Sequence, residues 1–310
     1  MQVRKTYFNW SSGKDSCLAL YYLLQDNSYS VEKLLTTVNK QLNRVTMHGL
    51  RMDLLQQQVR SIGIPCETVE LPENPSDKLY EKLMFEKVSE LKAHGFRYAA
   101  FGDIFLEDLR NYREQHLQHL GIRAIFPLWK KDTRKLILEF LDAGFKAVII
   151  CVNAKILDKS FVGRIIDRNL INDLPPEVDP CGENGEFHTF CFDGPIFGSP
   201  VQFSIGETIK KDYVLGDVRT PFWFCDLIPG NPITKHELKN CPRCNREFEC
   251  KAGSINTCHC STVSLTEQER NHIQNKFDDC LCNSCLKALK AEYHRHELTK
   301  QIRKFLRNDT

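Results

Sequence analysis

Seven residues near the N-terminus, WSSGKDS, combine side chains that bind phosphate in proteins. They supply hydroxyl groups, a glycine, an ammonium group and a carboxylate: Ser11, Ser12, Gly13, Lys14, Asp15 and Ser16. Because Gly13 tolerates backbone angles that other residues resist, amide groups there can approach an anion closely. A following helix would add unpaired amides and the positive end of its dipole. Phosphate binding is therefore favoured over the alternative, a helix N-cap at Ser11 or Ser12. The segment is not the Walker A pattern, G-x-x-x-x-G-K-S/T.

A second charged segment, FGDIFLEDLRNYRE, starts at the end of a predicted strand. Asp103 follows that strand, where a parallel sheet binds its ligands. Glu107, Arg110 and Arg113 come next, on a predicted helix. The spacing of residues 103, 107 and 110 predicts that these three side chains share one face. That face is either a solvated, ion-paired surface or a site for Mg²⁺ or substrate.

A third segment, CGENGEFHT, places two carboxylates and a histidine in a loop that contains glycine. Glu183 and Glu186 lie close to His188, and such a set can bind Mg²⁺, recognise ammonium or act as a general base. The alternative is a turn with solvated charges. Cys181 is a weak candidate nucleophile, because a buried structural thiol is commoner.

Eight of the 14 cysteines lie close together near the C-terminus. They are Cys241, Cys244, Cys250, Cys258, Cys260, Cys280, Cys282 and Cys285. Two C-x-x-C pairs at this separation are typical of zinc sites, since each turn directs two thiolates at one tetrahedral metal. The set allows one or two structural Zn²⁺ ions. One pairing joins the first two cysteines to the last two and leaves the other four for a second site. Unliganded thiols and redox or iron–sulfur use are the alternatives.

Alternating strands and helices must position these groups. The pattern predicts strands at 5–9, 34–38, 66–71, 98–101 and 146–152, and helices at 16–25, 50–62 and 78–94. Such alternation predicts an α/β fold, a doubly wound and mostly parallel sheet with helices on its faces. In these sheets ligands bind at the carboxyl ends of the strands, where the WSSGKDS loop is expected.

Composition divides the chain into segments. We predict an α/β domain over 1–228, with a nucleotide-binding core at 1–102 and a substrate part at 103–228. A linker at 229–238, a cysteine-rich zinc module at 239–288 and a basic helix at 289–310 follow. A basic helix beside a zinc module could contact RNA, but a helix packed in a core or interface with a solvated basic face is favoured.

The overall composition is that of an ordinary soluble protein. The 310 residues are 42% hydrophobic and 26% charged, with a net charge of +2. No apolar run is long enough to span a bilayer, and the first residues lack a signal-peptide pattern, so we expect a cytoplasmic protein with no membrane partner. Thiols stay reduced there, which argues against a disulfide framework.

The first segment resembles the S-G-G-x-D-S loop of the PP-loop ATP pyrophosphatases, with Ser12 in place of the first glycine. Together with FGDIFLEDLRNYRE, FPLW and CGENGEFHT, it resembles the diphthine–ammonia ligase family over about residues 5–224. The resemblance implies an adenine-nucleotide alpha hydrolase fold that uses ATP and Mg²⁺. It also implies that a carboxylate is activated as its adenylate with release of pyrophosphate, and that ammonia then displaces AMP.

The resemblance also implies roles for individual residues. Ser11, Ser12, Gly13 and Ser16 would hold phosphates, and Lys14 would balance their charge. The other implied nucleotide-site residues are Asp15, Val38, Met47 and His48. Asp15 would cap the helix or place Mg²⁺, and His48 would lie near the adenine or the α-phosphate. Val38 and Met47 would line the adenine pocket, although both could instead be core residues. The implied catalytic residues are Lys14, Asp15, Asp103, Glu183, Glu186 and His188. The implied substrate residues are Glu107, Arg110, Arg113 and Asn184.

Three departures from the family pattern fall where the substrate is expected. Asn184 stands at a glycine position, His188 at an acidic position, and HGLR at 48–51 replaces His-Thr-Pro-Asn. We therefore expect a divergent paralogue that joins another carboxylate or carbonyl substrate, small or macromolecular, to ammonia or an amine. A tRNA-modifying enzyme and a nucleotide-binding adaptor without turnover are the alternatives, and a homodimer stays open.

The cysteine-rich segment resembles the small C-W-C domain family. The resemblance rests on the run C-P-x-C-N-x-x-F-x-C and on the C-H-C that follows it, in which His259 takes the tryptophan position. It carries no function over to this chain.

Overall fold

The computed structural model describes residues 3–46, 49–72, 75–215, 218–230, 237–250, 260, 263–277 and 279–308. At 213–215, 218, 237–238, 247, 249–250 and 298–308 it describes the backbone alone. The chain divides into two compact units, Met1–Pro232 and Ile233–Thr310. Among the helices in the described ranges, none combines the length and apolar character needed to cross a membrane.

The first unit is built on a six-stranded sheet with the order β3-β2-β1-β5-β6, in which β4 also pairs with β2. Its strands are β1 Arg4–Asn9, β2 Tyr29–Asn39, β3 Arg44–Val45, β4 Cys66–Leu71, β5 Tyr98–Ala100 and β6 Arg123–Ile125. All pairings are parallel except that of β2 with β3. The predicted α/β fold with a mostly parallel sheet is therefore confirmed.

Helices connect the strands of this unit. They are α1 Lys14–Gln25, α2 Met52–Ile62, α3 Asp77–Ala93, α4 Glu107–His119, α5 Thr133–Asp142 and α6 Arg168–Asp173. Neighbouring residues of β1 face opposite sides of the sheet, as the period of a strand requires. Phe8 lies in a large core that includes α1, whereas Tyr7 lies in a second core that includes residues of α3 and α4.

The strand predicted at 146–152 lies elsewhere than expected. It is β7 Lys146–Asn153, and it belongs to a second, antiparallel sheet with β8 Phe187–Asp193, β9 Phe203–Leu215 and β10 Val218–Pro229. Its continuous apolar run reflects burial of both faces, since residues 147–152 are at most 2% exposed. Burial on two faces produces the same pattern in either kind of sheet, so the sequence did not distinguish them.

The second unit contains a short hairpin and two helices. These are β11 Glu237–Asn240, β12 Glu247–Cys250, α7 Glu267–Gln274 and α8 Asn283–Asn308. The helix predicted near the C-terminus thus begins at Asn283, within the cysteine-rich segment. Residues 231–236 of the predicted linker lie outside the described residues.

Two close approaches hold the WSSGKDS loop in place. The backbone of Gly102 packs against α1 so closely that a Cβ there would lie 2.9 Å from the Ser16 nitrogen. On the other side, the buried amide of Gln58 accepts from Trp10 Nε1 at 2.8 Å and donates to the carbonyl oxygens of Ser12 and Cys191 at 3.0 and 2.6 Å. Gln58 therefore joins the loop, α2 and β8 through one side chain.

Replacing Gln58 with leucine should lower the free energy of unfolding by about 2 to 4 kcal/mol, because it leaves a buried indole N–H and buried carbonyl groups without partners. Urea unfolding measures this change. Gln56→Leu, at an exposed position on the same helix, is the matched control and should stay close to wild type. Equal stability of the two variants would contradict the bridging role.

Candidate active site

The WSSGKDS loop adopts a compact turn at the carboxyl end of β1. The hydroxyl oxygens of Ser11 and Ser16 lie 2.7 Å apart, and the Gly13 amide donates to Ser11 Oγ at 3.3 Å. Gly13, rather than either serine, occupies the N-cap of α1, so the N-cap residue has no side chain to accept hydrogen bonds from the first turn. Uncapped amides in a first turn are available to an anionic ligand.

Ser12 adopts a backbone conformation that favours glycine. Its φ angle is +71°, in the left-handed region, where side chains other than glycine are strained. The residue is 1% exposed, and its hydroxyl oxygen has no hydrogen-bond partner within the described part of the chain. This is the position at which the PP-loop pattern has glycine, so the departure keeps the backbone conformation and adds a buried hydroxyl.

The Lys14 side chain points inward and is 3% exposed. Its ammonium donates to both carboxylate oxygens of Asp15, at 2.8 and 2.7 Å, and to the carbonyl oxygen of Cys181. Burial alone would lower the pKa of Lys14, but the adjacent Asp15 carboxylate together with Cys181 and Glu183 raises it. The lysine is therefore a charged, internal link between the loop and the segment that begins at Cys181.

The CGENGEFHT segment lies directly against the loop. Thr189 Oγ1 accepts a hydrogen bond from the Lys14 amide at 3.1 Å, and the Cys191 amide donates to the Ser12 carbonyl at 3.0 Å. A Cβ at Gly182 would lie 2.8 Å from the Phe187 carbonyl oxygen, so only glycine fits where the segment turns back. Two motifs far apart in the chain thus share one site.

Glu186 is buried, and both of its carboxylate oxygens accept hydrogen bonds inside this segment. Oε1 accepts from the Asp179 amide and the Asn184 side chain, each at 3.0 Å, and Oε2 accepts from the Asn184 amide at 2.8 Å. This arrangement gives Glu186 a positioning role, and it ties Asn184 to the segment itself.

Glu183 is the half-buried carboxylate of the segment. Burial, together with the nearby negative charge of Asp15, raises the pKa of Glu183 to about 8, although Lys14 and a hydrogen bond from the Ile104 backbone oppose the shift. A carboxyl group with this pKa exchanges a proton near neutral pH, as a general acid or base must.

Asp103 lies before α4, and its ion-pair partner is Arg113. Burial raises the pKa of Asp103 despite the attraction of Arg113, and the like charge of Asp15 adds to the rise. The predicted shared face of residues 103, 107 and 110 is wrong, because Asp103 precedes the helix. Arg110 instead pairs with Glu114 at 2.8 Å, and Glu107 is exposed.

The remaining polar groups of the site are neutral. Burial and the charge of Lys14 lower the pKa of His188 to about 4, so its imidazole is uncharged at neutral pH. Burial raises the pKa of the Cys181 thiol, despite the opposing charge of Lys14. A protonated, buried thiol is a poor nucleophile, which favours the structural interpretation of this cysteine.

The expected adenine region is described only in part. Met47 and His48 lie outside the described residues, and Val38 is 5% exposed, consistent with a core position. Beside this region, Arg44 and Arg51 both bind Asp226 of β10, at 2.9 and 2.5 Å, and lower the pKa of its carboxyl group. Sequence reasoning missed this cluster, because Asp226 lies far along the chain from both arginines.

In the second unit, four cysteines form one cluster: Cys241, Cys244, Cys282 and Cys285. Their sulfur atoms lie within 4.8 Å of one another, an arrangement that fits a tetrahedral metal ion. This is the grouping that the two C-x-x-C pairs suggest. Cys260 and Cys280 are outside this cluster, while Cys258, His259 and the side chain of Cys250 lie outside the described residues.

Comparisons with known proteins agree with this architecture. A model of the diphthamide synthase N-terminal domain matches residues 4–124, and a model of the C-terminal domain matches residues 132–215. The chain belongs to the diphthamide synthase family. A cysteine-rich CWC model matches residues 241–287, so this member also carries a C-terminal cysteine-rich domain. Both resemblances described above are confirmed.

Individual relatives are distant. The Schizosaccharomyces pombe protein named diphthine–ammonia ligase is 30% identical over 101 residues, which span 31% of this chain and only 17% of that protein. Its Danio rerio namesake is 25% identical over 224 residues, 64% of this chain and 86% of that protein. The solved U34-tRNA thiolase NcsA from Methanococcus maripaludis shares 16% identity over 46% of this chain and 58% of that chain, at a TM-score of 0.30.

Glu183 should make the stability of this diphthamide synthase family member depend on pH. A carboxyl group whose pKa rises from 4.5 to about 8 on folding stabilises the fold at low pH, and that contribution is lost as the pH rises through this window. Wild type should therefore lose stability relative to Glu183→Gln between about pH 5 and pH 9, by about 1 to 2 kcal/mol after allowance for partial exposure. Urea unfolding across this range measures the difference, and parallel curves would refute the assignment.

The four-cysteine cluster should bind one metal ion. Cys282→Ser removes a buried ligand, so the purified protein should lose about one equivalent of metal per chain. Elemental analysis identifies and counts the metal. Cys66→Ser, outside the cluster, should retain it. Equal metal content in the two variants would exclude metal binding by this cluster.

Proposed function

We propose that this chain is an ATP-dependent ligase. A substrate carboxylate oxygen attacks the α-phosphate of ATP, the bond to the β-phosphate breaks, and pyrophosphate leaves. The nitrogen of ammonia or an amine then attacks the acyl carbon, and AMP departs to leave an amide. The observation that carries this proposal is the direct contact between the WSSGKDS loop and the CGENGEFHT segment through Lys14, with Asp103 within electrostatic range of Asp15.

The residues present fit a nucleoside triphosphate. Ser11, Gly13 and Ser16 offer hydroxyl and amide donors at the start of α1, where the N-cap residue is a glycine. Lys14 contributes fixed positive charge beneath the loop. Asp15 and Asp103 are the carboxylates that would hold Mg²⁺, which in such sites takes one or two protein carboxylates together with substrate phosphates.

The chemistry of the second step falls to the CGENGEFHT segment. Glu183, whose pKa is raised to about 8, can take a proton from the attacking nitrogen and release it near neutral pH. His188 is neutral, so it can accept or donate one hydrogen bond without adding charge. Arg113 partly offsets the rise that burial causes in the pKa of Asp103.

We propose an acceptor other than diphthine. The departures from the family pattern, Asn184, His188 and the segment at 48–51, fall in the part expected to contact the substrate. Arg51 belongs to the 48–51 segment and binds Asp226. This ion pair would form part of the wall of the substrate pocket. We further propose that the metal of the four-cysteine cluster is a structural Zn²⁺, since a segment of this size buries too little apolar surface to fold unaided.

The full-length protein with ATP, Mg²⁺, ammonium and a metabolite extract should release AMP and pyrophosphate. Asp103→Asn should lower that rate by about 100-fold or more, because it removes a carboxylate placed for the metal ion. Asp142→Asn, on an exposed ion pair, is the matched control. Nucleotides and amide products are resolved by mass spectrometry.

The products discriminate between functions. ADP and phosphate would contradict cleavage between the α- and β-phosphates. If AMP appears only when tRNA or total protein replaces the extract, the acceptor is macromolecular. ATP left intact with every acceptor would refute the ligase and favour a nucleotide-binding adaptor.

A further inference from the structure

A row of alternating tyrosine and arginine residues crosses the amino edge of the parallel sheet. In sheet order, the strands β2, β1, β5 and β6 begin with Tyr29, Arg4, Tyr98 and Arg123. Parallel strands begin at one edge and end at the other. The row therefore lies at the opposite end of these strands from the WSSGKDS loop, which follows the last residue of β1.

Contacts within the row hold its side chains in place. The Arg4 guanidinium lies 5.0 Å from the ring centre of Tyr29 and 5.7 Å from that of Tyr98, and it donates to the Tyr29 hydroxyl at 2.9 Å. The two rings meet edge to face with centres 6.0 Å apart. Cation–π and hydrogen-bond contacts of this kind reduce the ordering cost of binding a ligand.

A second cation–aromatic stack forms the other wall. Arg110 lies 4.6 Å from the ring centre of Trp129 and 5.1 Å from that of Phe126. The two groups line an open cavity of about 350 Å³, to whose wall Arg123 also contributes. Its volume is at the lower end of the range for small-molecule sites.

The charge of this cavity is positive. Arg110 is paired with Glu114. Arg4 lowers the pKa of Asp26, and no carboxylate of the described residues forms an ion pair with Arg4. Arg123 is exposed, and within the described ranges no carboxylate forms an ion pair with it. Guanidinium groups bind phosphate through paired hydrogen bonds, so two of the three remain available to an anion.

We propose that this cavity binds a nucleotide, with its phosphate on Arg123 and Arg4 and its base against the rings of Tyr98 and Trp129. Alternating cationic and aromatic groups are the surface that recognises phosphate and base together. A free mononucleotide and one nucleotide of an RNA strand present this same chemistry. The site is separate from the proposed ATP site and does not depend on the ligase activity.

Photocrosslinking locates the ligand on the full-length protein. Azido-AMP and thiouridine-labelled RNA are the two probes, and the modified peptides are identified by mass spectrometry. Labels should appear on peptides that contain Tyr29, Tyr98 or Trp129. In fluorescence anisotropy, Arg123→Glu should weaken binding of the probe that labels them by about tenfold or more, and Arg123→Gln by less. Arg60→Glu, at another exposed arginine, should leave binding unchanged.

Each outcome bears on the proposal. Labelling by azido-AMP would identify a free nucleotide as the ligand, and labelling by the RNA probe alone would identify an RNA strand. Labels confined to residues 10–25 would place all nucleotide binding at the WSSGKDS loop and overturn the proposal. Equal affinities of Arg123→Glu and Arg60→Glu would also overturn it, and would leave the row as a cation–π cluster that stabilises the sheet.

Discussion

The buried ammonium of Lys14 is the interaction on which the candidate site depends. It joins the Asp15 carboxylate to the Cys181 carbonyl and so connects the first turn of α1 with a segment far along the chain. A buried charge is tolerated only when it is paired and hydrogen-bonded. The two segments must therefore fold together, because separating them would leave a charge without partners inside the protein.

Packing around this link explains why particular residue types occur near it. Gly102 allows the end of β5 to approach α1, and Gly182 allows the CGENGEFHT segment to turn back on itself. Gln58 satisfies a tryptophan and two carbonyl groups at the back of the loop. None of these three residues has chemistry of its own to contribute, yet they set the distances between the groups that do.

Electrostatics then divides the site into groups with different protonation. Lys14 stays charged because Asp15 is adjacent, whereas His188 stays neutral because burial and Lys14 both oppose its protonation. Glu183 lies between these extremes, since burial and Asp15 hold its proton until the pH approaches about 8. The buried ammonium of Lys14 and the half-buried carboxylate of Asp15 thus set the protonation of the side chains around them.

Features that depend on neighbouring residues could be predicted from the sequence. Five of the strands, the helices that follow the first three of them, the PP-loop, the CGENGEFHT segment and the two C-x-x-C pairs are all local patterns, and the β4 strand was predicted with the bounds observed. Contacts between residues that are distant in the chain became known only from the folded structure. In the fold, β7 belongs to an antiparallel sheet and Asp103 pairs with Arg113. Glu186 accepts hydrogen bonds that position its own segment. Four residues line up along one edge of the parallel sheet: Arg4, Tyr29, Tyr98 and Arg123. These pairings depend on strand order and packing, and a linear pattern of residue types does not contain that information.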